Sequence, residues 1–104
     1  MDRIHSLKEL LEESPKDSFL RHAMAMELQK VGADNEAITM LESLLQDAPD
    51  YVGSYYQLGK LLEKNGKDKE AIYYYEKGME KAKQAGEKRT YNELRSALEE
   101  LSFD

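Results

Sequence analysis

Residues 52–85 read VGSYYQLGKLLEKNGKDKEAIYYYEKGMEKAKQA, and residues 18–51 read SFLRHAMAMELQKVGADNEAITMLESLLQDAPDY. Laid over one another, they agree at Leu28/Leu62, Lys30/Lys64, Gly32/Gly66, Asp34/Asp68, Glu36/Glu70, Ala37/Ala71, Ile38/Ile72, Glu42/Glu76 and Ala48/Ala82. The same shift of 34 positions, carried towards the start of the chain, adds Ile4/Ile38, Leu7/Leu41, Leu10/Leu44, Leu11/Leu45 and Pro15/Pro49. Fourteen of the first 48 pairs are thus identical, where composition alone predicts about three, and the matches include the turn-formers Gly and Pro. Beyond Ala48/Ala82 the identities stop. A half repeat (2–15), two full repeats (18–51 and 52–85) and a final segment outside the register (87–101) are expected within a single domain over 1–104.

Each stretch between punctuation residues carries the 3.6-residue apolar period of a helix, and none alternates with the period of a strand. Six helices are expected. The first runs from Asp2 to Glu13, with Ile4, Leu7, Leu10 and Leu11 on one face, and stops before Ser14-Pro15 because a residue preceding proline is pushed out of the helical region. The second, Asp17 to Val31, buries Leu20, Met24 and Leu28 and ends at Gly32, which can take the left-handed conformation that closes a helix. The third starts behind Asp34 as N-cap and passes through Ala37, Ile38, Leu41, Leu44 and Leu45 to Ala48. The fourth is capped by Asp50, carries Tyr55, Leu58 and Leu62, and stops at Asn65-Gly66. The fifth, from Asp68 through Ala71, Ile72, Tyr75 and Met79, meets no proline and continues to Ala85. The sixth, Glu87 to Leu101, aligns Tyr91, Leu94, Leu98 and Leu101.

Composition narrows the function. The chain has 104 residues, 40% hydrophobic and 35% charged, with no cysteine, which removes thiol chemistry and Cys-ligated metal sites. The longest apolar runs, Leu10-Leu11 and Ala71 to Tyr75, are far too short to span a bilayer. Met1-Asp2-Arg3 leads directly into an amphipathic pattern, so a cytoplasmic location without membrane attachment is expected. The net charge of −6 disfavours nucleic acid, and the local enrichment Lys77, Lys81, Lys83, Lys88, Arg89 is interrupted by Glu76, Glu80 and Glu87. His5 and Glu9 share a helical face, but a zinc site needs three or four ligands. No nucleophile elbow or phosphate-binding loop frames a catalytic set, so neither an enzyme nor a cofactor is expected.

The second repeat resembles the tetratricopeptide repeat, a 34-residue helix–turn–helix unit: Tyr55, Leu58-Gly59, Leu62, Ala71, Tyr75 and Gly78 stand at that family's spacing, with Lys83 in place of its proline. The first repeat keeps Met24-Ala25, Leu28, Ala37, Leu41 and Pro49, with Arg21 in the aromatic position and Leu44 where a small residue is usual. Small residues at Ala25, Gly59, Ala37 and Ala71 let paired helices cross closely. The resemblance, extended over residues 2–101, implies an all-α fold, a right-handed α-solenoid of antiparallel helix pairs closed by a C-terminal capping helix. It also implies a protein-binding module whose concave groove is lined by the first helix of each repeat.

The positions that would face this groove are Phe19, His22, Met26, Gln29 and Lys30, with counterparts Gly53, Tyr56, Lys60, Glu63 and Lys64. Of these Phe19, His22, Met26, Lys30, Tyr56, Lys60 and Lys64 are the candidate partner-binding residues, for a peptide or helical segment of a protein partner. Set against Glu63 alone, the three lysines make this surface mildly basic in an acidic chain. The bland alternative is that Met26 and Tyr56 only cover neighbouring helices. The family's clamp for a C-terminal carboxylate is not expected, since His22, Met26, Gln57 and Glu93 occupy four of its places and only Arg89 fits. Tyr75 is expected in the core, leaving Tyr73 and Tyr74 at a packed boundary or on a second interaction surface. The competing function is structural, in which the uncovered first helix stacks against a second copy or further repeats.

Overall fold

The computed structural model describes residues 2–102. Six helices and no strand are present among them: α1 (Arg3–Glu13), α2 (Ser18–Lys30), α3 (Asp34–Asp47), α4 (Gly53–Lys64), α5 (Asp68–Ala85) and α6 (Lys88–Ser102). They divide into two units, Met1–Ala48 holding α1 to α3 and Pro49–Asp104 holding α4 to α6.

The turns follow from glycine. Gly32, Gly66 and Gly86 sit at φ 80°, 75° and 72°, the left-handed region that a Cβ disfavours. Each closes a helix the same way. The residue after the glycine donates its amide five positions back, Ala33 to Leu28 O, Lys67 to Leu62 O and Glu87 to Ala82 O, all at 2.9 Å. The glycine amides themselves reach Gln29, Glu63 and Lys83, so carbonyls that a bare helix end would leave unmade are satisfied.

The helix starts divide into two kinds. Asp2 Oδ1 accepts the His5 amide at 2.8 Å, and Asp17 Oδ1 accepts that of Leu20 at 2.9 Å. The expected caps at Asp34 and Asp50 are corrected by the structure. Ala33 holds the cap position of α3 and Asp34 is its first helical residue, where with Glu36 its charge complements the N-terminal end of the helix dipole. Asp68 and Glu70 do the same in α5. Val52, already helical in φ and ψ, precedes α4, while Asp50 instead pairs with Lys81 Nζ at 3.3 Å.

In the first unit Leu7, Met24, Ala25, Leu28, Ala37, Ile38, Leu41, Leu44 and Leu45 are buried. The expected apolar face of α1 is only partly covered: Ile4 and Leu11 are half-buried, and Leu10 is 48% exposed. In the second unit the core is Val52, Tyr55, Leu58, Leu61, Leu62, Ala71, Tyr75, Ala82, Leu94 and Ala97. From α6 only Leu94 and Ala97 are fully buried, with Tyr91, Leu98 and Leu101 half-buried.

Close crossings account for Gly59 and Gly78 inside α4 and α5. A Cβ on Gly59 would overlap the Tyr75 ring, 2.6 Å from Cδ1, and one on Gly78 would lie 2.6 Å from Tyr55 Cβ and 2.9 Å from Leu94 Cδ1. At the equivalent positions of the first unit stand Ala25 and Leu41, both buried, a slightly larger residue in place of Gly59 and a smaller one in place of Tyr75.

Candidate functional site

Tyr55 and Arg21 stand 34 positions apart. The Tyr55 hydroxyl donates to Pro49 O at 2.6 Å, and Arg21 Nε donates to Pro15 O at 3.1 Å. Both thus tie the start of their repeat's first helix to the proline before it. Arg21, 7% exposed, also gives NH1 to Ser43 O at 3.3 Å and NH2 to Asp47 Oδ2 at 2.9 Å, which compensates its buried charge. A second equivalence reverses sign. Lys16 faces Asp47 at 3.9 Å, whereas 34 residues on Asp50 faces Lys81 at 3.3 Å. These buried and rim contacts orient α2 and α4 within their units.

With its buried residues Arg21, Met24, Ala25 and Leu28 turned inwards, α2 leaves the other face outward. Phe19 is 71% exposed, His22, Met26 and Gln29 are half-buried, and Lys30 is exposed. Their spacing of three to four residues places them along one side of the helix. Burial pushes the His22 imidazole below its ordinary pKa. On α4 the buried residues are Ser54, Tyr55, Leu58, Gly59, Leu61 and Leu62. The residues left over repeat the α2 pattern, with Tyr56 and Lys60 half-buried and Lys64 exposed. Lys60 Nζ lies 5.8 Å from the Tyr56 ring centroid, so the cation and the ring form one amphipathic surface.

The electrostatics of these faces correct the expectation of a basic surplus. Glu27 Oε2 accepts from Lys30 Nζ at 3.1 Å and pairs with Arg3 Nε of α1 at 3.3 Å. The hydrogen bond from Lys30, with the charges of Lys30 and Arg3, holds the Glu27 carboxyl below its ordinary range. Lys60 is in turn 3.6 Å from Glu63. Two of the three lysines are therefore matched by an acid one turn away, and each face is closer to neutral than a count of lysines suggests. Sequence reasoning passed over Glu27, although its i, i+3 spacing to Lys30 is a readable signal.

Tyr75 is fully buried, as its place in the repeat implies. Burial pushes its phenol far above the ordinary tyrosine value, and that of Tyr55 to about 12. Tyr73, 54% exposed, meets Tyr74 edge-on with ring centroids 5.0 Å apart, and Lys77 Nζ lies 5.8 Å from its centroid. A hollow of about 790 Å³ in the first unit lies between α1 and α3 over Met24 and Leu28, with Lys8, Leu11 and Met40 on its walls. In the second unit a hollow of about 390 Å³ surrounds the Gly86 turn, beside Ala82 and Tyr91.

Among the described residues no three His, Asp or Glu side chains gather as a metal set, and His5 Nε2 meets Glu9 Oε1 alone at 3.2 Å. No helix among them is long and apolar enough to cross a membrane. What the arrangement offers is contact area: aromatic and Met surfaces flanked by self-neutralised charge pairs.

The model of the tetratricopeptide repeat family matches residues 17–51 and 54–77, more than half of the chain. A tetratricopeptide repeat domain protein from Salinibacter ruber, known from its crystal structure, is 37% identical with a TM-score of 0.79, the match covering 83% of this chain and 96% of that one. A protein from Bordetella parapertussis superimposes with a TM-score of 0.83 over 98% of this chain and 89% of its own, at 22% identity. MamA superimposes with a TM-score of 0.69 over 94% of this chain and 64% of its own, at 18% identity. The last two show likeness of fold alone. No curated protein sequence matches the chain.

Proposed function

The chain belongs to the tetratricopeptide repeat family, and from that premise we propose that it is a non-catalytic protein-interaction module with repeat units at 18–51 and 52–85. Helical repeats of this family generally mediate contacts between proteins. The ligand-facing surfaces in this reading are the outward side of α2, with Phe19, His22, Met26 and Lys30, and that of α4, with Tyr56, Lys60 and Lys64. The observation that carries it is Phe19, a large apolar side chain left 71% exposed on the same helical side as half-buried Met26. Large apolar and aromatic side chains beside held charges suit a peptide or helix that brings its own apolar anchors.

Selection from a displayed peptide library tests this. Wild-type protein is expected to enrich a family of related apolar sequences. Met26→Glu combined with Tyr56→Ala is expected to lose that enrichment while keeping the helical circular dichroism and melting temperature. Unchanged enrichment by the double variant would place binding elsewhere.

A second reading, self-assembly through α1, is favoured by one observation: Leu10 is 48% exposed, whereas its repeat equivalents Leu44 and Gly78 are buried. Light scattering across a concentration series distinguishes this reading, since self-assembly raises the mass with concentration.

A further inference from the structure

In the second unit the position equivalent to Leu10 is Gly78, covered by Tyr55 of the preceding helix at the distance of direct contact. In the first unit it is Leu44, fully buried, with Arg21 of the preceding helix bonded to the adjacent Ser43 carbonyl. Within the first unit the same side of α1 stays exposed, and among the described residues on it only Arg3 reaches another helix, through Glu27 of α2. That side carries Arg3, Ser6, Leu10 and Glu13, all exposed and spaced three, four and three apart, hence one stripe of the helix.

The stripe is complementary to itself when reversed. Set antiparallel about a twofold axis near the middle of α1, Arg3 meets Glu13 of the other copy, Ser6 meets its Leu10, and the two Leu10 side chains flank the axis. A parallel arrangement would put Arg3 against Arg3 and Glu13 against Glu13, a repulsive match. The contact of Arg3 Nε with Glu27 uses one of the five donors of the guanidinium, so a second carboxylate can be accommodated. The helix α6 of another copy is a poor cover for Leu10. Tyr91, Leu94 and Leu98 of α6 follow Tyr55, Leu58 and Leu62 of α4 by 36 residues, two more than the repeat, so Arg95 stands at the place of Gly59, where a Cβ would already overlap the next helix, and the exposed residues of α6 include Arg89, Asn92, Glu93 and Glu99.

We propose that the partner of this stripe is a second copy of the chain, α1 pairing antiparallel with α1 through Arg3, Ser6, Leu10 and Glu13. This rests on the self-assembly reading and gives it a definite geometry. The contact is small, one apolar side chain per copy with charge at both ends, so the dimer is weak and salt-sensitive.

Sedimentation equilibrium of the full chain, with two complementary variants, tests the proposal. Glu13→Arg gives a stripe with Arg at both ends, and Arg3→Glu one with Glu at both ends. Each alone is expected to raise the dimer dissociation constant by about tenfold or more. Mixed in equal amounts they are expected to restore association as a heterodimer, visible by native mass spectrometry. Because Arg3→Glu also removes the contact with Glu27, Ser6→Leu serves as a gain-of-function partner: it sets an apolar side chain against each Leu10 and should tighten the dimer. Wild-type association that ignores both charge variants, or a mixture that fails to associate, would overturn the pairing and leave self-assembly by another surface. A wild-type chain that stays monomeric up to about 1 mM would overturn both the pairing and the self-assembly reading.

Discussion

Gly59 and Tyr75 are fitted to one another so closely that the absence of a single methyl on one decides the size permitted on the other. Gly59→Ala would place Cβ against the Tyr75 ring. Although alanine favours a helix by about 1 kcal/mol, the overlap is expected to outweigh it and leave a net loss of about 1–3 kcal/mol in urea unfolding. The equivalent positions of the first unit carry a larger and a smaller residue respectively, Ala25 and Leu41. Adding Tyr75→Leu to Gly59→Ala should therefore recover part of the loss, and strictly additive effects would contradict the fit described. Arg21 shows where sequence reading stopped. Its place in the repeat was legible as an aromatic position wrongly filled, but its three acceptors were not, because Pro15, Ser43 and Asp47 converge only after α2 and α3 pack. Arg21→Ala should cost about 1–3 kcal/mol, since it removes a buried donor from two carbonyls and leaves the Asp47 carboxylate only the longer contact with Lys16.

His22 carries a pH dependence with a definite sign. Its native pKa is lowered by burial, so the unfolded chain takes up a proton that the folded chain resists. Stability should accordingly fall as the pH drops through the unfolded value near about 6.5, and the loss should be complete below the native pKa. Comparing urea midpoints at about pH 7.5 and about pH 5.5 checks this, and His22→Gln should shrink the difference. An unchanged difference in that variant would assign the effect to another group.

At the scale of the elements, the helix ends were the most legible feature and also the source of the clearest corrections. Gly32, Gly66 and Gly86 announce three stops because their left-handed conformation is one that few other residues take. Starts are harder to read, since an aspartate near a start can cap, join the first turn or form an ion pair. Asp17 caps, Asp34 lies within the first turn, and Asp50 pairs with Lys81. The difference is measurable. Asp17→Ala should lower stability by about 0.5–2 kcal/mol, whereas Asp50→Ala, which removes only a surface pair, should cost about 0–1 kcal/mol. Equal losses would contradict the assignment. The apolar face of α1 is legible from periodicity, and its incomplete cover is legible from the repeat count, which leaves the first helix without the partner a full repeat would give it; periodicity alone is silent on whether anything covers an apolar side.

Across the whole molecule, two periods made the fold legible: the 34-residue repeat sets the order of α1 to α5, and the 3.6-residue apolar period marks each as a helix and adds α6 outside the repeat register. The candidate surfaces were legible as positions, since Phe19, Met26 and Tyr56 do fall outside the buried sides of α2 and α4. Their charge was not, because Glu27 and Glu63 lie one turn from Lys30 and Lys60 and match them. A ligand for these faces is therefore expected to bind through apolar contact with modest sensitivity to salt, rather than through attraction to free lysines. The most direct measurement is an amide chemical-shift titration of the labelled chain with a peptide enriched by the library selection. Binding through the two proposed faces predicts the largest shifts along Phe19 to Lys30 of α2 and Tyr56 to Lys64 of α4. Shifts confined to Tyr73–Lys77 of α5, or to the α1–α3 hollow around Leu11 and Met40, would contradict it.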